Sequence, residues 1–179
     1  MSTSRKGSSP SVEEQKNRAR EFERLLGRGD VRLSCREMRE ILSGCSGKEG
    51  EDSLPVLLDV REEWEYRYVR FPGALNIPLS RLPENLDKIP SDRDLVIYCH
   101  TGIRSLLACY LLMQNGFEKV RNLDGGIDDY ARTIEPALPR YRLEQGRRPP
   151  EAVLAQNAQG EERGDHNPWG EGVSARISL

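Results

Sequence analysis

One short segment of the sequence combines a nucleophile, a flexible backbone position and a permanent cation. It reads Cys99-His-Thr-Gly-Ile-Arg104-Ser105 and directly follows an apolar run at 95–98. In an open parallel sheet, ligands bind beyond the carboxyl ends of the strands, where a residue after a buried strand is placed. Cys99 is therefore the candidate catalytic residue, acting as a nucleophile.

The loop after Cys99 favours a negatively charged sulfur. Successive backbone N–H groups in such a loop can point inward and form an anion-binding nest, and the start of the following helix adds positive charge. Gly102 lets the backbone turn where a side chain would obstruct it. We expect the loop to favour the thiolate of Cys99 over its thiol. Arg104, whose planar guanidinium suits an oxyanion, is expected to hold the anionic part of a substrate.

The remaining loop residues, His100, Thr101, Ile103 and Ser105, complete the predicted substrate-binding set. Thr101 and Ser105 can hydrogen-bond the sulfur or can cap the helix, and the sequence leaves both roles open. His100 can be read as a general base, but a thiolate that the loop has already formed needs none.

The other three of the four cysteines, Cys35, Cys45 and Cys109, show no pattern of their own. No two cysteines are spaced C-x-x-C, and neither histidine completes a zinc pattern. Cys109 stands among leucines in the helix expected after the loop, which favours core packing. We expect free thiols, no metal and no cofactor.

Strands and helices alternate between residues 31 and 141, which predicts an α/β fold. The apolar runs at 56–60 and 95–98 are continuous rather than alternating, as in parallel strands covered on both faces. Shorter strands are expected at 74–77 and 120–123. We predict a single domain with a parallel sheet of about five strands and helices on both faces. Asp59 and Arg61 follow the first of these strands and are expected to pair at the sheet edge.

Helix starts are marked by local signals. Ser11 with Glu14, and Ser34 with Glu37, match the capping box, which predicts helices over 12–26 and 35–42. Ser80 is expected to cap a helical turn that reaches Leu86. The other expected helices cover 62–68, 103–115 and 126–134.

Composition limits the function classes. A net charge of −2 gives no reason to expect nucleic-acid binding. The longest apolar stretch, 106–113, is far shorter than the ~20 residues that cross a bilayer. The first residues lack the apolar run of a secretory signal. We therefore expect a cytoplasmic protein without nucleic-acid or membrane partners.

The chain ends differ in composition from the predicted domain at 31–141. Residues 1–30 are expected to form an N-terminal extension with a possible helix. Residues 142–179, rich in Arg, Gln, Glu, Pro and Gly, are expected to form a disordered tail because they contain few apolar residues.

The segment C-x-x-G-x-R-S resembles the active loop of rhodaneses, a family of sulfurtransferases. Other segments agree with that family in order along the chain: Leu58-Asp59-Val60-Arg61 before an acidic helix, Pro72-Gly73-Ala74-x-Asn76-Ile77-Pro78, and Leu123-x-Gly125-Gly126-Ile127. The resemblance covers about residues 31–141 and implies a rhodanese-like domain that carries sulfur on Cys99. One departure is Arg70, which stands where many rhodaneses have a histidine.

The segment at 125–141 is similar to the end of rhodanese domains fused to ubiquitin-activating-like adenylyltransferases. This resemblance implies a ubiquitin-like sulfur carrier as the acceptor and a separate adenylyltransferase as a further partner. The adenylyltransferase part is not in this sequence, so the chemistry is implied more strongly than the pathway. A general thiosulfate sulfurtransferase that detoxifies cyanide is the alternative within the family.

The expected reaction has two steps. The Cys99 thiolate takes a sulfane sulfur from a donor, either thiosulfate or a protein persulfide, and a thiophilic acceptor then removes it. Because His100, Thr101 and Ile103 add no fixed positive charge, we expect thiosulfate to bind weakly. Two alternatives come from other classes. Cysteine phosphatases and arsenate reductases have C-x5-R loops, one residue longer than this C-x4-R. A non-catalytic binding module would not need the cysteine that is present.

Overall fold

The computed structural model describes residues 11–43 and 54–142. Within them lies one five-stranded sheet with the strand order β1-β5-β4-β2-β3. Each pair of neighbouring strands is parallel, so the predicted α/β fold with a parallel sheet is confirmed. The strands are β1 (Arg32–Leu33), β2 (Val56–Asp59), β3 (Leu75–Asn76), β4 (Leu95–Tyr98) and β5 (Val120–Leu123).

The described residues form α-helices on both faces of this sheet, as predicted. These helices are α1 (Val12–Leu26), α2 (Cys35–Leu42), α3 (Glu63–Tyr68), α4 (Ile103–Gln114) and α5 (Gly126–Thr133). The strands supply alternate side chains to two apolar clusters. Leu57 and Val96 join the cluster that includes residues of α2 and α5. Leu58 and Ile97 join the cluster that includes residues of α4.

Both predicted capping boxes are present. At the start of α2, the Glu37 amide donates to Ser34 Oγ over 3.3 Å, and the Ser34 amide donates to Glu37 Oε2 over 2.8 Å. Ser11 and Glu14 make the same reciprocal pair before α1. Local hydrogen bonding therefore sets the start of both helices.

Several short elements differ from the sequence prediction. Strand β1 was not predicted, because two residues are too short to show a strand period. The turn expected to begin at Ser80 is a 3-10 helix over Leu79–Glu84, and a second one covers Leu86–Lys88. Pro83 lies inside the first and has no N–H to donate, which keeps the segment from continuing as an α-helix.

Helix α1 packs against α4 rather than extending away from the domain. The Phe22 and Tyr110 rings meet edge to face with centroids 5.8 Å apart, and the Tyr110 hydroxyl donates to Glu21 over 3.1 Å. The division at residue 30 stays a prediction. The expected disordered tail, apart from Arg142, lies outside the described residues. Among the residues described, no helix is both long and apolar enough to cross a membrane.

Candidate functional site

The predicted loop lies between the end of β4 and the start of α4. Its turn depends on Gly102, the N-cap of α4, which has φ 90° and ψ −9°. A Cβ at this position would lie 3.0 Å from the Gly125 amide nitrogen and 3.1 Å from the Leu123 carbonyl oxygen. Glycine is therefore required both for its left-handed backbone and for the close approach of the segment before α5.

Two hydrogen bonds converge on the sulfur of Cys99. The Gly102 amide donates to Sγ over 3.1 Å, and the buried Ser105 hydroxyl donates over 3.3 Å. Cys99 is only 1% exposed, so its sulfur lies inside the loop rather than on the molecular surface. Of the two roles left open for Ser105, the structure shows contact with the sulfur. Both donors are placed to stabilise negative charge there.

Thr101 and Ile103 form the outer surface of the loop. Thr101 is exposed, and Ile103 is 75% exposed although it is a large apolar residue. Neither side chain carries a charge. The surface above Cys99 is therefore uncharged at these two positions.

Arg104 makes a two-pronged ion pair that was not foreseen from the sequence. Its two terminal nitrogens each donate to one oxygen of Glu65, both over 2.7 Å. The Glu65 side chain is 1% exposed and that of Arg104 is 29% exposed. Burial by itself would raise the pKa of Glu65, but the hydrogen bonds from Arg104 and Tyr141 outweigh it and lower that pKa. The expected role of Arg104 toward a substrate stays a prediction.

His100 faces the last described segment of the chain. Its ring stacks on that of Tyr141 with centroids 4.3 Å apart, and Nε2 lies 3.1 Å from the Tyr141 carbonyl oxygen. Burial lowers the pKa of His100, although Asp128, 3.8 Å away, opposes the shift. These contacts hold the His100 ring against Tyr141. Its expected contact with substrate stays a prediction.

A buried network connects the end of β2 to this loop. Arg61 and Asp59 form a fully buried ion pair, which confirms their expected pairing. Arg61 also donates to the Tyr141 hydroxyl over 2.9 Å, and that hydroxyl donates to Glu65 over 2.7 Å. The network thus runs from Asp59 through Arg61, Tyr141 and Glu65 to Arg104. The sequence carried no signal for Glu65 in this role, because acidic residues on a helix usually face solvent. Tyr141 ends the segment 125–141 noted in the sequence, but nothing there indicated that its hydroxyl is buried.

The start of α5 holds the loop through backbone hydrogen bonds. The Ile127 and Asp128 amides donate to the carbonyl oxygens of Cys99 and His100 over 3.0 and 3.1 Å. Gly126 has φ 63°, and a Cβ there would come within 3.0 Å of both carbonyl oxygens. The glycine pair before Ile127, seen in the sequence as a motif, therefore allows this backbone contact.

The remaining described cysteines are buried. Cys109 lies in the core on α4, as predicted, and burial raises its pKa. Burial raises the pKa of Cys35 to about 11, with a further contribution from Asp129. Cys45 lies outside the described residues. No group of three or more His, Cys, Asp or Glu side chains that could hold a metal ion occurs in the part of the chain described.

Arg70, named above as a departure from the resemblance, lies over an aromatic ring. Its guanidinium carbon is 5.0 Å from the centre of the Tyr66 ring. The Tyr66 hydroxyl in turn donates to the Ala74 carbonyl oxygen over 2.8 Å. Arg70 thus takes part in a cation–π contact on the segment that follows α3.

Comparison with known proteins identifies the family. The model of the rhodanese-like domain matches residues 46–133. A sulfurtransferase from Allochromatium vinosum is 46% identical over 77 residues, which are 43% of this chain and 72% of that protein. The chain belongs to the rhodanese-like domain family. The resemblance of the loop segment to rhodaneses is confirmed.

Two further relatives show how this rhodanese-like domain occurs elsewhere. The probable adenylyltransferase/sulfurtransferase MoeZ of Mycobacterium tuberculosis is 37% identical over 111 residues, 61% of this chain and 26% of its own length. The human single-domain sulfurtransferase TSTD1 is 28% identical, with a TM-score of 0.50, covering 59% of this chain and 98% of that structure. The chain thus spans about a quarter of MoeZ but nearly all of the single-domain structure.

Proposed function

We propose that this protein is a sulfurtransferase that carries a sulfane sulfur as a persulfide on Cys99. The observation that carries the proposal is the convergence of the Gly102 amide and the Ser105 hydroxyl on the Cys99 sulfur. Both donors point at the sulfur that attacks the donor as a thiolate in the first step and leaves as a thiolate in the second, so one arrangement serves both steps of the cycle. Membership of the rhodanese-like family supports the same chemistry.

The reaction proceeds by double displacement. The Cys99 thiolate attacks the outer sulfur of the donor, a sulfur–sulfur bond forms, and the donor's own bond to that sulfur breaks. The leaving group departs with the electron pair, as sulfite from thiosulfate or as a thiolate from a persulfide. A thiophilic acceptor such as cyanide or a small thiolate then attacks the outer sulfur of the Cys99 persulfide and returns the Cys99 thiolate. With an adenylated carrier, the outer sulfur instead attacks the carrier's C-terminal carbonyl carbon and AMP leaves. A second thiol then cleaves the sulfur–sulfur bond of the acyl disulfide, forms a disulfide with Cys99 and releases the carrier thiocarboxylate.

The two alternatives from other classes are less well supported. A binding module without activity has no need of two hydrogen-bond donors directed at a cysteine sulfur. A phosphatase would have to enclose three equatorial phosphate oxygens in a loop one residue shorter than the C-x5-R loops of those enzymes. No contact in the described part of the site favours either alternative.

The acceptor in this proposal is a ubiquitin-like sulfur carrier activated by a separate adenylyltransferase. The similarity to MoeZ, whose name combines adenylyltransferase and sulfurtransferase, supports this choice. Loading the protein with sulfur, adding adenylated carrier proteins and then reducing with dithiothreitol should yield a carrier C-terminal thiocarboxylate, detected by mass spectrometry. If cyanide or small thiols remove the sulfur much faster than every carrier tried, the general sulfurtransferase is the correct assignment.

The proposed role of Cys99 is tested by intact-mass measurement. After incubation with thiosulfate or glutathione persulfide, the wild type should gain the mass of one sulfur atom and lose it to dithiothreitol. Cys99→Ser should gain none. Cys109→Ser, which alters the buried cysteine of α4, is the matched control and should still gain it. Sulfur uptake that persists in Cys99→Ser but not in Cys109→Ser would show that the assignment is wrong.

A further inference from the structure

The ion pair between Arg104 and Glu65 bears on which donor the loop accepts. Resting on the proposed function, we infer that Glu65 determines donor specificity by neutralising Arg104. The loop then favours an organic persulfide over a small dianion such as thiosulfate. Glu65 does not touch the Cys99 sulfur in this proposal and acts through the charge of Arg104.

Glu65 is held firmly in this position. Its carboxylate accepts two hydrogen bonds from Arg104, one from the Tyr141 hydroxyl over 2.7 Å and one from the Glu62 amide over 3.0 Å. Its side chain is only 1% exposed, so water cannot take the place of these hydrogen-bond donors unless the surrounding structure opens. Releasing Arg104 would leave a buried charge without its partner, which is strongly unfavourable. Arg104 therefore remains paired while a donor binds.

The pairing changes the charge that a donor meets. The segment from Cys99 to Arg104 contains one permanent cation, and the carboxylate of Glu65 cancels it. Thiosulfate carries two negative charges on a small ion. It gains little electrostatic attraction at this site, because the charges of Arg104 and Glu65 cancel. The sulfane group of a protonated persulfide, R–S–SH, carries no charge, so its approach to Cys99 does not depend on a cation in the loop.

Exposed apolar side chains beside the loop support the same substrate class. Ile103 is 75% exposed and Leu107 is 40% exposed. Four residues apart on α4, they lie on one face of the helix. The organic part of a persulfide donor can cover these side chains, whereas thiosulfate has no such part.

The sulfur-transfer step is balanced without any further reactant. The Cys99 thiolate attacks the outer sulfur of R–S–SH, and the bond between the two donor sulfurs breaks. R–S⁻ leaves with the electron pair, and the proton stays on the outer sulfur, now part of Cys99–S–SH. No oxidant or reductant is consumed.

The experiment compares how fast Cys99 gains sulfur from thiosulfate and from glutathione persulfide, by mass spectrometry. In the wild type, glutathione persulfide should react faster. Glu65→Gln should raise the thiosulfate rate constant relative to the persulfide one by about fivefold, as expected when a nearby unit charge is removed. Glu63→Gln removes the same charge from α3 at an exposed position paired with Arg67, and it should leave the ratio unchanged.

A double variant keeps the inference testable if the unpaired charge of Arg104 prevents Glu65→Gln from folding. Glu65→Gln with Arg104→Gln removes both charges, and the donor ratio should stay at the wild-type value. A selective loss of thiosulfate transfer in this double variant would show that Arg104 binds the donor, and would overturn the inference. Equal effects of Glu65→Gln on both donors would also overturn it. A wild type that takes up sulfur from neither donor would refute the proposed function itself.

Discussion

The pKa falls at two ionisable residues of the site, Glu65 and His100, for different physical reasons. Glu65 is buried, yet its pKa falls because Arg104 and Tyr141 donate hydrogen bonds to its charged form. His100 is buried beside Tyr141, and its pKa falls because burial disfavours the charged imidazolium. A carboxylate with satisfied partners thus stays ionised, while an imidazole that packs on an aromatic ring stays neutral.

The lowered pKa of His100 predicts how stability depends on pH. The unfolded chain, with an ordinary imidazole pKa near 6.5, binds a proton more readily than the fold does. The contribution of His100 is therefore complete above that pKa and is lost as the pH falls through the lower folded value. His100→Gln should weaken the decrease in the free energy of unfolding between about pH 7 and pH 5, the range in which histidine titrates.

Urea unfolding at a series of pH values measures this effect. The wild type, unfolded at the same pH values, is the reference for His100→Gln. Parallel curves for wild type and His100→Gln would contradict the prediction. The acid loss below this range belongs to carboxylates with lowered pKa values, Glu65 and Asp128 among them.

At the scale of elements, the start of α5 supports the loop before α4 through backbone contact. Both segments enter their helices through a glycine with positive φ, Gly102 and Gly125. The amides at the start of α5 hold the carbonyl oxygens of Cys99 and His100. The shape of the sulfur-binding loop therefore depends on a second loop that contains none of its proposed catalytic groups.

Gly126→Ala tests this dependence. The added Cβ would collide with the carbonyl oxygens of His100 and Cys99, and φ 63° is unfavourable for alanine. We expect a loss of about 2 kcal/mol or more in the free energy of unfolding, together with slower sulfur uptake at Cys99. Chemical denaturation and the mass assay measure the two effects.

Gly116→Ala is the matched control for this substitution. Gly116 has φ 87°, but a Cβ there would meet no atom within 4 Å. It should lose only the cost of a left-handed alanine, about 1–2 kcal/mol, and keep its rate of sulfur uptake. Equal stability and equal uptake in the two variants would show that contact between the loops does not shape the site.

At the scale of the whole molecule, the segment after α5 returns to brace the carboxyl edge of the sheet. Tyr141 lies beyond the region matched by the family model, 46–133. Its hydroxyl joins Arg61 to Glu65, which precede it by 80 and 76 residues. Its ring stacks on His100. One side chain thus connects the end of β2, helix α3 and the loop before α4.

Tyr141→Phe tests how much the Tyr141 hydroxyl contributes to the free energy of unfolding. It keeps the ring but removes a hydroxyl that both accepts from Arg61 and donates to Glu65. Two buried charged groups lose a partner, at a cost of about 1–3 kcal/mol in the free energy of unfolding. Tyr68→Phe is the control, because that ring also packs on Tyr141 but its hydroxyl makes only an exposed 3.5 Å contact. Equal losses in the two variants would contradict this prediction.

The sequence by itself determined the features whose signals are local. Capping pairs such as Ser34 with Glu37, continuous apolar runs and the Cys99–Ser105 segment all lie within a few residues, where hydrogen bonding and burial leave a readable pattern. They were enough to predict a parallel sheet with Cys99 at its carboxyl edge.

The tertiary structure alone decided which groups surround that loop. Glu65 pairs with Arg104 across 39 residues of sequence, and Tyr141 reaches Glu65 across 76. No spacing in the sequence indicates such pairs, because the packing of strands and helices determines which distant residues meet. An acidic residue on a charged helix is ordinarily solvated. The tertiary structure buries Glu65, and there its charge cancels that of Arg104, the one permanent cation of the segment 99–104.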